Sequence, residues 1–189
     1  MVFNSWSNYF TFLELPLKTY FGQMCSDVLI TAKNSYYAFA ICPGFWDSLL
    51  HFHELEKIGS IDHVRSELLR GRKTDDLVQW VDNELSAAFF KDTGSEQTTN
   101  AFGEIMLWVQ RSSQYFDHAK AKFAAAADGW LVAYAMVHDA AVVTNEQPQP
   151  KSRSRVLLPD ICDQFKVTRK NTFEMLHELA VRYEWKGAE

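Results

Sequence analysis

The chain has 189 residues, 47% hydrophobic and 23% charged, which is the balance of one folded domain long enough to bury a core. A formal net charge of −5 excludes a molecule coated in positive charge for nucleic acid, although it leaves room for a local basic face. The three cysteines, Cys25, Cys42 and Cys162, have no paired spacing, which excludes a disulfide framework or a zinc ribbon and fits a reducing cytoplasm.

Residues 1–19 read as an N-terminal extension ahead of a domain covering 20–189. They are aromatic, but Glu14 and Pro16 interrupt them and no basic start precedes them, so neither a signal peptide nor a membrane anchor is expected. No apolar run along the chain reaches the roughly 20 residues that span a bilayer. A first strand is predicted over Thr19 to Met24, then a helix from Asp27 to about Asn34 that Ser26 or Asp27 could cap. Pro43 and Gly44 punctuate the chain, and apolar residues at Phe45, Leu49, Phe52 and Leu55 give a helical period up to Lys57. A short β-like stretch over Ile58 to Ile61 leads to helices at His63 to Leu69 and Asp75 to Leu85.

The polar stretch Asp92 to Asn100 reads as a loop, followed by helices over Ala101 to Gln110 and Tyr115 to Ala127. From there helix and strand alternate: helix Asp128 to His138, strand Ala141 to Thr144, an exposed loop Asn145 to Ser154, and a helix Asp160 to Phe165. A last strand is predicted at Val167 to Arg169 and a closing helix at Thr172 to Arg182. Strands separated by helices predict an α/β protein with a central parallel sheet covered on both faces.

In such a sheet, strand C-termini and helix N-termini share the edge where ligands bind. Asp128 opens a helix and Glu146 follows a strand, so both project toward that edge, and Asp27 and Glu67 stand at the ends of other apolar segments. Four carboxylates so placed suit Mg²⁺ or Mn²⁺, hard ions that take oxygen ligands and keep several waters. Each acid taken alone is equally well explained as a cap or first-turn residue held by the helix dipole. Ser26, Thr144 and Asn145, with Cys25, flank the acids and could orient them by hydrogen bonding, or could do ordinary turn work. Arg70, Arg72 and Lys73 after Glu67, and Lys151, Arg153 and Arg155 in the late loop, could meet an RNA backbone; a solvated face is the plainer account. His51 and His53, two apart on a helix, make no metal pair, and Trp46, Trp80, Trp108 and Trp130 fit apolar core faces better than base-stacking platforms.

The segments Val28-Leu29-Ile30, Glu67-Leu68, Ala127-Asp128-Gly129-Trp130-Leu131-Val132-Ala133 and Val142-Val143-Thr144-Asn145-Glu146, in that order, resemble those of PIN-domain ribonucleases. Ala32-Lys33-Asn34-Ser35-Tyr36-Tyr37, Pro43-Gly44-Phe45-Trp46-Asp47, Leu158-Pro159-Asp160-Ile161-Cys162 and Asn171-Thr172-Phe173-Glu174 resemble, more narrowly, a PIN-like bacterial family found beside antitoxin-like partners. The resemblance runs from about residue 20 to residue 183. It implies a three-layer α/β/α sandwich, an acidic site for Mg²⁺ or Mn²⁺, and hydrolysis of RNA phosphodiester bonds by a cytoplasmic toxin resembling VapC, with a protein antitoxin; a homodimer is compatible with it. Under that resemblance Asp27, Glu67, Asp128 and Glu146 are the catalytic and metal-holding residues. One position departs: the family's first acid aligns with Cys25, and a thiol suits a hard ion poorly. The alternative implied by Cys25 is an attenuated or inactive PIN-like protein that binds RNA or a protein partner.

Overall fold

A computed structural model describes residues 22–184, so the expected N-terminal extension and the first residues of the expected first strand lie outside the described residues. Five short strands form one parallel sheet in the order β3-β2-β1-β4-β5, with β1 over Gly22–Met24, β2 over Ile58–Ile61, β3 over Phe90–Lys91, β4 over Ala141–Val143 and β5 over Arg169–Lys170. Gly22 of β1 sits in register with Ile58 on one side and Ala141 on the other. The three central strands are buried along their whole length, as a sheet covered on both faces requires.

The helices are α1 (Ser26–Thr31), α2 (Pro43–Glu54), α3 (Asp62–Leu68), α4 (Asp76–Asn83), α5 (Glu96–Arg111), α6 (Asp117–Ala124), α7 (Asp128–His138), α8 (Leu158–Phe165) and α9 (Thr172–Glu178). Crossovers between parallel strands are right-handed, so the helices linking β1 to β2 and β2 to β3 cover one face, and those linking β3 to β4 and β4 to β5 cover the other. The expected three-layer α/β/α sandwich is the architecture found. The direction of winding reverses between β1 and β4, and a crevice opens outside the strand ends at such a reversal.

Several expectations shift. The first helix stops at Thr31 and continues as a π-helical turn over Ala32–Tyr36, a distortion that periodicity cannot foretell. Its N-cap is Cys25 with no capping side chain, rather than Ser26 or Asp27, because both of those side chains turn to partners elsewhere. Pro43 begins α2 instead of punctuating the chain, its missing N–H costing nothing at a first helical position. The expected loop Asp92 to Asn100 is half helix: the Ser95 hydroxyl accepts from the Thr98 amide at 3.2 Å and starts α5 at Glu96. The two-residue strand β3 escaped the sequence reading, and the closing helix ends at Glu178, four residues before Arg182.

The aromatic residues behave as core. Trp46 stacks on Phe39 at 3.9 Å between ring centroids and meets Phe45 and Trp80 edge-on. Trp130 lies between His63 and Phe102, stacked at 4.7 and 3.9 Å, so both its faces are taken.

Candidate active site

The four predicted acids are delivered by different connections, and Glu146, Glu67 and Asp27 all act on Asp128 through their charge. Asp27 is in the first turn of α1, directly after β1. Glu67 is on α3, which follows β2 without a break. Asp128 opens α7, and Glu146 follows β4.

Two of them tie the layers together. Glu67 accepts from the Ser26 hydroxyl at 3.0 Å and from the Ala127 amide at 2.8 Å, linking α3 to α1 and to the residue before Asp128. Asp27 accepts from the Thr31 hydroxyl and the Asn145 amide, both at 3.1 Å, which fastens α1 to the segment after β4. Ser26 and the Asn145 backbone amide thus donate to acid side chains, whereas the Thr144 hydroxyl accepts from the Glu146 backbone amide at 3.1 Å. The Asn145 side chain points the other way and accepts both the amide and hydroxyl of Thr172, at 3.1 and 2.9 Å.

Glu146 has a second occupation that its sequence position does not reveal. Its carboxylate accepts from the Arg155 guanidinium at 3.0 Å and from the Leu158 amide at 3.3 Å. It therefore closes the loop between β4 and α8 and satisfies an amide at the start of α8. Arg155, read in the sequence as an RNA contact, is here the counter-ion of an acid. Arg153 lies 4.7 Å over the Phe116 ring and donates to the Gln114 carbonyl, so it too is engaged within the fold. Lys151 remains exposed.

Asp128 shows what this gathering costs. It is surrounded by protein, and desolvation pushes its pKa up to about 7 from 3.8, with further upward pressure from Glu146, Glu67 and Asp27 and relief from Arg155. Cys25 is buried in the apolar core beside these acids: burial drives its thiol far up, the Thr144 hydroxyl offsets part of this, and Asp27 and Asp128 add to it. The thiol is thus protonated and unreactive as a nucleophile.

Donor chemistry and charge fit a hard divalent cation. The donors are carboxylate oxygens, and Arg155 supplies positive charge to Asp128 against three neighbouring acids. Geometry is less ready: among the described residues, no three His, Cys, Asp or Glu side chains are arranged to hold a metal ion. Glu67, Asp27 and Glu146 are each held by protein donors instead. Arg70, Arg72 and Lys73 are exposed in the turn that follows α3, beside Glu67, and an ion pair between Lys33 and Asp75 fastens that turn to the π-helical segment.

The chain belongs to the family described as "Domain of unknown function (DUF4411)", whose model matches residues 24–183. No curated protein matches the sequence. Among solved structures, the crystal structure of VapBC2 from Rickettsia felis bound to a DNA fragment from their promoter is similar over 80% of this chain and 98% of that chain, at 14% sequence identity and a TM-score of 0.48. No helix among the described residues is long and apolar enough to cross a membrane.

Proposed function

We propose that this member of the DUF4411 family is a ribonuclease that hydrolyses RNA phosphodiester bonds with Mg²⁺ or Mn²⁺, and that it acts as the toxin of a toxin–antitoxin pair. The observation that carries the reading is Asp128, its carboxyl pushed up to about 7 by burial first and then by Glu146, Glu67 and Asp27. A protein gathers like charges this way at a cost, and a bound cation removes the cost. The ion would lower the pKa of a bound water and polarise a phosphoryl oxygen. Asp128, Glu67 and Asp27 would hold it, and Glu146 would join on releasing Arg155, whose guanidinium would then be free to meet a phosphate. Ser26 and the Ala127 amide keep Glu67 aimed at the centre, and the Asn145 amide does the same for Asp27.

The purified protein is expected to cleave single-stranded or structured RNA with Mn²⁺ and to stop in EDTA. Asp128→Asn should abolish cleavage with its far-ultraviolet spectrum unchanged; cleavage that persists in this variant defeats the assignment. The toxin role is tested by expression alone and with the neighbouring gene, where slowed growth and its relief are the expected pair of results.

Cys25 favours a second reading, a PIN-like protein that binds RNA or a protein partner without cutting. A thiol takes the place of the expected first acid and stays protonated there. Calorimetry separates the two readings: no Mn²⁺ heat at millimolar metal supports this one.

A further inference from the structure

We propose that Tyr36 and Phe173 form a stacking platform for an unpaired nucleobase of a single-stranded RNA held across the acidic crevice. The inference rests on the ribonucleic-acid reading above and adds the part of the ligand that the acids do not recognise.

Tyr36 ends the π-helical segment and Phe173 is the second residue of α9, yet their rings meet edge-to-face with centroids 5.8 Å apart. Large aromatic side chains that leave the core usually keep most of their surface covered, because each carries so much apolar area. These two are 61% and 55% exposed. Their mounting is rigid. Phe173 follows Thr172, which is bonded through both its amide and hydroxyl to Asn145, and the Asn145 amide is bonded to Asp27. A capping box between Asn171 and Glu174 fixes the same turn of α9. Tyr36 stands on the continuation of α1, nine residues beyond Asp27, less than about 13 Å of helix rise away because the last five residues are π-helical. Thr172 and Asn145 on one side and α1 on the other thus link both rings to the elements that carry Asp27.

Charge decides what kind of occupant fits. Lys33, three residues before Tyr36, is paired with Asp75, in the same turn as the exposed Arg70, Arg72 and Lys73. Exposed aromatic faces on the segment that this basic turn is fastened to suit a polymer with flat bases and a phosphate backbone. Single strands are recognised in this way, with splayed bases stacking on exposed rings, whereas a duplex keeps its bases inside. Two rings are also a small area for a protein partner, which needs on the order of 1,000 Å² of complementary surface.

The test uses the full chain in EDTA, so that cleavage plays no part. Fluorescence anisotropy compares a short single-stranded RNA with an abasic oligomer of the same length. The native protein is expected to favour the base-containing strand by about tenfold, the scale of one stacked base. The double variant Tyr36→Ala/Phe173→Ala should lose that preference and bind both strands like the abasic one. Tyr36→Phe/Phe173→Tyr, which keeps both rings, should retain it, and equal urea midpoints confirm that all variants fold. An unchanged preference in the double alanine variant overturns the proposal, as does native protein that binds both strands equally or neither. If RNA affinity is unchanged while the alanine variant alters the sedimentation mass of the chain, the rings serve a protein contact and the proposal is wrong. Base-dependent binding without cleavage after Mn²⁺ is added would leave the platform standing and remove the nuclease; cleavage with no dependence on the rings would do the reverse.

Discussion

At the end of β1 the Cys25 thiol takes a place where the resemblance expects an acid, beside the four carboxylates of Asp27, Glu67, Asp128 and Glu146. Cys25 is buried within the apolar core, yet the Thr144 hydroxyl bonds its thiol and Asp27 and Asp128 act on it, so the side chain stands where the core meets the acids. Cys25→Asp therefore adds a charge to a centre already crowded with charge. In EDTA the variant should be less stable than the native protein by a few kcal/mol, the cost of a partly desolvated, unpaired carboxylate. Millimolar Mn²⁺ should reverse the sign, raising the melting temperature of the variant more than that of the native protein and increasing any cleavage rate. A variant destabilised equally with and without Mn²⁺ would mean that the new carboxylate points away from the others. At this scale the sequence was readable to the extent that each acid stands where an apolar segment ends. The second task of Glu146, holding Arg155 and the Leu158 amide, was not, because those partners are brought back to it only by the loop that it closes. Tyr36 and Phe173 were likewise quoted for their motif and not as a pair, since nothing local links the π-helical segment to α9.

Among the elements, α7 was legible to the residue: an acid at its start and a dense apolar stretch left little choice from Asp128 to His138. Of the strands at the sheet's edges, β3 was not, since two residues carry no alternation to read, while β5, expected at Val167 to Arg169, lies at Arg169–Lys170. The start of α5 was hidden for another reason. Its threonines and Ser95 favour loops and caps on their own, and the hydroxyl contact between Ser95 and Thr98, at 2.9 Å, makes them the first turn of a helix. Two glycines in these helices give opposite predictions from one substitution. A methyl at Gly103, on the exposed side of α5, would meet nothing within 4 Å. Gly103→Ala should therefore stabilise the protein by up to about 1 kcal/mol, the helix-propensity difference alone. A methyl at Gly129 would come within 2.9 Å of the Phe102 ring, which is pinned on Trp130 by stacking. Gly129→Ala should lower stability by about 1–3 kcal/mol through overpacking, despite the same gain in propensity. Urea midpoints at constant slope measure both; a stabilised Gly129→Ala would show that Phe102 moves freely and that the three-ring stack does not hold α7 against α5.

Over the whole molecule, the charge gathered at the sheet's edge links folding to pH and to metal. Asp128 has a pKa of about 7 in the folded chain against 3.8 when unperturbed, so between those values the native state binds the proton and the unfolded state does not. Its contribution to stability is thus fully present below about pH 4 and is lost as pH rises through about 7. The loss amounts to at most about 4 kcal/mol, less whatever solvent at the crevice screens. His53, whose pKa burial lowers, works in the opposite direction over part of this range, so the Asp128 share must be read as a difference between proteins. Native protein and Asp128→Asn, unfolded in urea with EDTA, should have similar stabilities near pH 4 and diverge as pH rises, the variant being the more stable at about pH 8. Mn²⁺ should then close the gap, because an ion that binds only the folded state adds stability in proportion to the logarithm of its concentration over its dissociation constant. It should do so far more at about pH 8 than at about pH 5, where it must displace the proton from Asp128 before it can bind. Parallel curves for the two proteins across the whole range would mean that Asp128 is ionised in the fold and that its neighbours lie too far away to matter. Divergence without any effect of Mn²⁺ would leave a strained cluster of acids with no ion to relieve it, which is the condition expected of the non-cleaving reading that Cys25 favours.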